Sequence, residues 1–229
     1  MSLTSLPPSI EQRMGSFTEV LRRAKSSAPD SLSKPTITIA REFGCEAFPV
    51  AEELLKLVQE TTGEPWLLVD SSLLAAVAKE HGVAEDIFHG LGQKPRWLDE
   101  MFATLAPNWK SEAGYYQLLC DQVAALAIAG NAIFVGLGAA VITKSLKNCS
   151  HFRLVADKEF KIRSISRRLN ISRQEAELFI VEKQAERDRI LRKLLDTDAR
   201  DPLYYHMIFN NTKVRNNKIA QTIADFVLK

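Results

Sequence analysis

The sequence has little that would mark a metal centre, a disulfide framework or a membrane span. Its three cysteines, Cys45, Cys120 and Cys149, follow no metal-ligand spacing and form no even set. That excludes a thiolate metal cluster as an organising device and fits reduced thiols in a cytoplasmic protein. The four histidines, His81, His89, His151 and His206, are scattered and form no metal set. No apolar run reaches the roughly 18 residues of a membrane span. The nearest, Leu118 to Ile128, is broken by Asp121 and Gln122. The first residues, MSLTSLPPSIEQR, lack a basic start followed by an apolar run, so no signal peptide is expected. Charge of one sign is also lacking. Thirty Lys and Arg face 28 Asp and Glu, a net charge of +2, which argues against bulk nucleic-acid binding.

What remains is ordinary globular composition, 46% apolar and 25% charged over 229 residues. That length suits one α/β domain with a lid or an N-terminal arm. The informative stretch is Pro35 to Leu55, PTITIAREFGCEAFPVAEELL. Thr36 to Ala40 alternates apolar and polar residues and is rich in β-branched side chains, which predicts a strand. A turn with Gly44 follows, and from Val50 the apolar residues Val50, Leu54, Leu57 and Val58 recur at helical spacing. Strand, glycine turn and helix is the architecture of a phosphate site, because a helix N-terminus offers N–H groups and partial positive charge. The spacing GxxxxGK[ST] is absent, so this stretch alone favours an ordinary βα turn over a phosphate site.

Residues 1–34 read as an arm, with Met14, Phe17, Val20 and Leu21 on one face of a helix and a linker over 26–34. Trp66 to Val69 predicts a short buried strand, followed by a helix from Asp70 or Ser71 to about His81, a helical turn over Ala84 to Phe88, and a helix near Arg96 to Leu105. Glu112 to Ala129 predicts a long helix stopped by Gly130, and Ala132 to Val135 a fully buried strand. A short helix is expected over Ala139 to Leu146 and a strand over Phe152 to Val155. Asp157 caps a helix over Lys158 to Leu169. Ser172 and Glu175 form a capping box that starts a helix running to about Lys193. A strand over Tyr205 to Phe209 and a helix over Asn216 to Leu228 close the chain. Strands alternating with helices predict a parallel sheet covered on both faces.

Several of these stretches together resemble the cytidylate kinase-like family of P-loop nucleoside monophosphate kinases. They are Ile37 to Ala47, ITIAREFGCEA; Leu68-Val69-Asp70; Ala132 to Gly136; Ile171 to Ala176; Glu186 to Arg189; and Asp201-Pro202 with Tyr205 to Thr212. The resemblance covers residues 35–229. It implies a three-layer αβα P-loop kinase-like fold, a parallel sheet of about five strands and a helical lid near 170–200. It also implies ATP and Mg²⁺ as cofactors and a nucleoside monophosphate or related acceptor as substrate, in chemistry that is mostly positioning and charge neutralisation. The phosphate turn falls on Arg41, Glu42, Phe43, Gly44, Cys45, Glu46 and Ala47, with Arg41 the nearest cation.

The lid candidates are Arg187, Arg189 and Arg192. Arg189 and Arg192 share a helix face, while Arg187 is rotated by about 200° from Arg189, so Arg189 and Arg192 are favoured. A solvated face paired with Glu182 and Glu186 is the alternative. Asp70 reads as either an acceptor-side carboxylate or a helix cap. Arg96 and Asp99, with Trp97, fall where the acceptor would bind, or else serve packing and surface.

The chain departs from the family pattern in two places. Glu46 and Ala47 stand where glycines are expected, and a carboxylate about 4 Å from a phosphate charge costs roughly 4 kcal/mol at an effective dielectric of 20. Glu46→Gly is therefore expected to strengthen phosphate binding. Leu137 stands where an arginine is usual. Cys45, at a helix N-terminus, is a candidate for a lowered thiol pKa. Two functions stay open: an ATP-dependent phosphotransferase, or a catalytically inactive kinase-like protein that binds a nucleotide or a protein partner. A weaker third is nucleic-acid binding through the basic helices at 158–168 and 183–193.

Overall fold

The computed structural model describes residues 34–70, 73 and 112–229. The predicted arm, the helices between Ser71 and Leu105, and with them Arg96, Trp97 and Asp99, lie outside the described residues. The elements are β1 (Thr36–Arg41), α1 (Ala47–Thr62), β2 (Leu67–Val69), α2 (Glu112–Ala129), β3 (Ala132–Val135), α3 (Ala139–Ile142), β4 (Cys149–Val155), α4 (Lys158–Leu169), α5 (Arg173–Leu195), a 3₁₀ turn (Pro202–Tyr204), β5 (Met207–Asn210) and α6 (Asn216–Leu228). The strands form one five-stranded sheet in the order β2-β3-β1-β4-β5, with every pairing parallel.

β1 is the middle strand, between β3 and β4, and its alternation decides the layering. Ile37 and Ile39 face Val50, Leu54 and Val58 of α1 and Ile219 and Ile223 of α6, with Ile133, Phe152 and Leu154 in the same core. Thr36 points to the other face, where its hydroxyl donates to the Ala127 carbonyl of α2 at 2.9 Å. The result is the three-layer α/β fold with a five-stranded parallel sheet that the sequence implies. α4 and α5 form a helical hairpin sealed by Ile162, Ile165 and Ala176, with Phe43, Phe179 and Ile180 packed against them.

Local signals set most boundaries. The Asp157 carboxylate accepts from the Phe160 N–H at 2.7 Å. Ser172 and Glu175 make both bonds of the capping box. Some boundaries shift. α1 begins at Ala47, not Val50, because Pro49 sits in the first turn, where its missing N–H is not needed. β4 begins at Cys149, α3 ends at Ile142 and β5 begins at Met207.

One buried polar contact carries a pH signature. The Thr38 hydroxyl and His151 Nδ1 meet at 2.9 Å between β1 and β4. Burial, then the neighbouring His206, pulls the His151 pKa down to about 4. An unfolded histidine takes its proton near 6.5. Between these values the unfolded chain binds more protons, so stability rises with pH. The contribution is complete above about pH 6.5 and is lost as pH falls towards 4, up to about 3 kcal/mol. Urea midpoints followed from pH 7 to 4 should fall less steeply in His151→Gln, and equal slopes would mean that His151 titrates normally.

Candidate functional site

Open α/β sheets bind ligands beyond the C-terminal ends of their strands. Here that edge gathers Arg41 at the end of β1, Asp70 after β2 and Gly136-Leu137-Gly138 after β3. The Arg41 guanidinium lies across Gly136: a Cβ at that glycine would fall 1.5 Å from Arg41 Nη1. Gly136, Leu137 and Gly138 all have positive φ, at 81°, 60° and 68°. A leucine in that conformation costs about 1–2 kcal/mol, so the turn is held by its surroundings. The Gly136 N–H donates to the Ile39 carbonyl at 3.0 Å, and Leu191 and Leu195 of α5 press on Gly138.

A second guanidinium reaches this edge from α5. Arg187 lies over the Phe43 ring at 5.2 Å, and its Nη1 donates to the Arg41 carbonyl at 3.3 Å. Burial, with Arg187 adding to it, pulls Arg41 down to about 9, while Asp70 works in the opposite direction. Burial also lowers the pKa of Arg187. Asp70 Oδ1 accepts from the Leu73 N–H at 2.9 Å, and its carboxylate acts on Arg41. Arg153, buried on β4, donates to the Ala199 carbonyl at 2.9 Å and lies over the Tyr205 ring. The edge thus holds a cluster of arginines: Arg187 and Arg168 act on Arg41, and Arg153 acts on Arg187, while Asp70 offsets Arg41, and Asp188 and Glu186 offset Arg187.

The β1–α1 turn beside it is closed. The Glu42 N–H donates to the Leu154 carbonyl at 3.0 Å, and the Cys45 N–H to the Glu42 carbonyl at 3.3 Å. The Phe43 N–H donates to Gln184 Oε1 at 2.7 Å, and the Glu46 N–H to Asn211 Oδ1 at 2.8 Å. Gly44, at φ 95°, backs onto α4, where a Cβ would meet Lys161 Cβ at 2.7 Å. The Glu42 carboxylate holds Lys161 Nζ at 2.8 Å. The Glu46 carboxylate accepts from Arg167 Nη2 at 2.7 Å and Asn216 Nδ2 at 2.8 Å, with the Ser164 hydroxyl at 3.4 Å. Ala47 is buried as the first residue of α1.

The sequence matches the cytidylate kinase-like family over residues 36–213. The chain belongs to the cytidylate kinase-like family. Among curated proteins none matches. A crystal structure of an uncharacterized protein from Eubacterium ventriosum ATCC 27560 is similar in fold, with 18% identity and a TM-score of 0.58 over 85% of this chain and 98% of that one. Shikimate kinase from Bacteroides thetaiotaomicron has 15% identity and a TM-score of 0.43 over 85% of this chain and 99% of that one.

Against the family pattern, the structure brings Arg41, Asp70 and Arg187 to one edge and disperses the other candidates. Glu42 and Glu46 are turned into the α4 and α6 contacts described above. Arg189 and Arg192 are exposed, and Arg192 lies 3.7 Å from Asp198. Arg187, the member of the trio that the helical phase disfavours, is the one directed inward. Its face is the stripe Ala176, Phe179, Ile180, Gln184, Arg187 and Ile190, buried or half-buried at helical spacing. Gln184, Asn211 and Lys161, which close the turn, are not among the residues the sequence singles out. Gln184 lay within reach of pattern reasoning, three residues before Arg187 on the same stripe.

The reading of Cys45 as an activated thiol is corrected. Its sulfur is buried near the Leu154 carbonyl, and burial together with Glu42 pushes its pKa up to about 12. Cys149 is likewise pushed up, to about 11. In the folded protein at neutral pH, Cys45 and Cys149 should resist iodoacetamide for hours. Prompt alkylation of either, read by mass spectrometry, would show that the turn opens.

Among the described residues no helix is long and apolar enough to cross a membrane. No group of three or more His, Cys, Asp or Glu that could hold a metal ion occurs there either.

Proposed function

We propose that the chain binds the phosphate end of a nucleoside monophosphate, or of a similarly small phosphorylated molecule, at the C-terminal edge of its sheet. The observation that carries this is the approach of Arg187 to Arg41, whose own guanidinium lies against Gly136. Two like charges drawn out of water destabilise one another, and an anion between them relieves both. A phosphate there would be oriented by two planar donors, with Asp70 bordering it.

The family's ATP and Mg²⁺ fit less well. A triphosphate needs a cradle of unpaired N–H groups, and those of Glu42, Phe43, Cys45 and Glu46 are bonded to protein acceptors. Of the two functions left open by the sequence, nucleotide binding without transfer is supported by this closed turn. The phosphotransferase reading keeps the support of the paired guanidiniums, which would neutralise charge in either case.

Calorimetric titration with CMP, UMP, AMP and GMP tests the binding, and coupled detection of ADP from ATP and Mg²⁺ tests transfer. Saturable binding of a monophosphate is expected. If neither the nucleotides nor inorganic phosphate bind or raise the melting temperature, the proposal fails. ADP release that depends on a monophosphate would establish the phosphotransferase reading instead.

A further inference from the structure

We infer that residues 10–25 of the N-terminal arm dock as a helix on the outer face of α2, at Ala125 and Ile128. α2 itself calls for a covering. From Cys120 to Ala129 its only polar residues are Asp121 and Gln122, and Gln122 is buried. A helix that is apolar all round is expected to be covered all round. Val123, Leu126 and Ala127 are buried, and the Thr36 hydroxyl of β1 donates to the Ala127 carbonyl. The other side is open: Ala125 is exposed, and Ile128, one turn further on, is 60% exposed.

The place where the arm leaves the domain identifies the segment that covers this face. One side chain ties Lys34 to the last turn of α2. Asn148 Nδ2 donates to the Lys34 carbonyl at 2.9 Å and to the Ala127 carbonyl at 2.8 Å. The Asn131 N–H donates to the Pro35 carbonyl at 2.8 Å, and a Cβ at Gly130 would collide with Lys34. The arm therefore departs beside Ile128. Residues 26–33 span at most about 28 Å when extended. A helix over 10–25 is about 24 Å long, close to the roughly 27 Å of α2. Its residues Ile10, Met14, Phe17 and Leu21 form one apolar stripe, with Val20 beside it. The charges are complementary. α2 contains Glu112 and Asp121 and no Lys or Arg, whereas residues 10–25 contain Arg13, Arg22, Arg23 and Lys25 against Glu11 and Glu19. Residues 74–111 also lie outside the described residues, but they lead from β2 to Glu112, at the far end of α2 from Ile128.

Hydrogen exchange of the full chain, read by mass spectrometry, tests this. A helix of this length is marginal in water on its own, so protection reports docking. Amides of residues 14–25 should exchange at least about tenfold more slowly than those of 26–33. Ile128→Asp and Phe17→Asp should each bring residues 14–25 to the rate of the linker, while β1 and β3 stay protected. With p-benzoylphenylalanine in place of Phe17, photo-crosslinks should fall on residues 121–129 of the same chain. Fast exchange of residues 14–25 in the wild-type chain, protection that survives Ile128→Asp, or crosslinks to another element would overturn the inference. Crosslinks between chains, with a dimer in sedimentation, would also overturn it and make a second copy the occupant of this face. Should Ile128→Asp fail to fold, Phe17→Asp, which alters the arm alone, and the crosslink decide.

Discussion

Glu46→Ala is expected to lower the stability of the fold by about 2–3 kcal/mol and to leave phosphate affinity unchanged. From the sequence, the carboxylate opposes a phosphate, and its removal should help binding. The structure turns it away. Its side chain is 17% exposed and takes hydrogen bonds from Asn216 on α6 and from Arg167 and Ser164 on α4. These bonds tie the start of α1 to two helices distant in sequence. The pair with Arg167 is worth little, because that side chain is 75% exposed and screened by water. The larger part of the cost comes from the Asn216 amide and the Ser164 hydroxyl, which lose an ionised acceptor in a half-buried site. Glu46→Gln, which keeps the shape and one acceptor, should cost about half as much. Urea denaturation measures the first quantity and phosphate titration the second. A gain of tenfold or more in affinity would restore the electrostatic reading drawn from sequence.

Glu46 also shows where sequence reasoning ends. Its identity, its place after a strand and its position before a helix were all legible. Its direction was not, because the groups that decide it, Arg167 and Asn216, lie 121 and 170 residues away in the chain. Elements whose cause is local came through: the β-branched run of β1, the Asp157 cap, the capping box at Ser172 and the helix over Asn216 to Leu228. The turn at Gly44 shows the same limit. Its glycine was legible as a need for space, but the space is taken by Lys161 and not by a ligand. The same holds for Leu137, whose left-handed backbone is imposed by the packing of β3, Arg41 and α5 and leaves no trace in local propensity. Cys45 failed as a prediction because the helix N-terminus beside it is buried, and desolvation outweighs the favourable dipole.

Arg187→Ala is expected to reduce affinity for a nucleoside monophosphate by about 30-fold or more, the cost of removing a charge-assisted contact at a desolvated site. Arg189→Ala and Arg192→Ala should each change it by less than about threefold, as exposed charges do. The difference comes from helix phase against a fixed anchor. α5 is one unbroken helix from Arg173 to Leu195, so its buried stripe through Ala176, Phe179 and Gln184 selects which arginine faces the sheet edge. Arg189 lies about 200° from Arg187 on that helix and cannot share its direction. Spacing alone shows which arginines lie together; only the apolar stripe shows which one turns inward. Arg187 also stacks on Phe43 and holds the Arg41 carbonyl, so its loss should lower stability by about 1 kcal/mol. Arg187→Lys separates the two roles. It keeps the charge but loses the planar fork, so affinity should recover only in part. If phosphoryl transfer is detected, Arg187→Ala should lower kcat by about a hundredfold with a smaller change in KM for ATP. An Arg189 or Arg192 variant weaker in binding than the Arg187 variant would mean that α5 meets its ligand on the opposite face, and that the inward arginine only holds the turn.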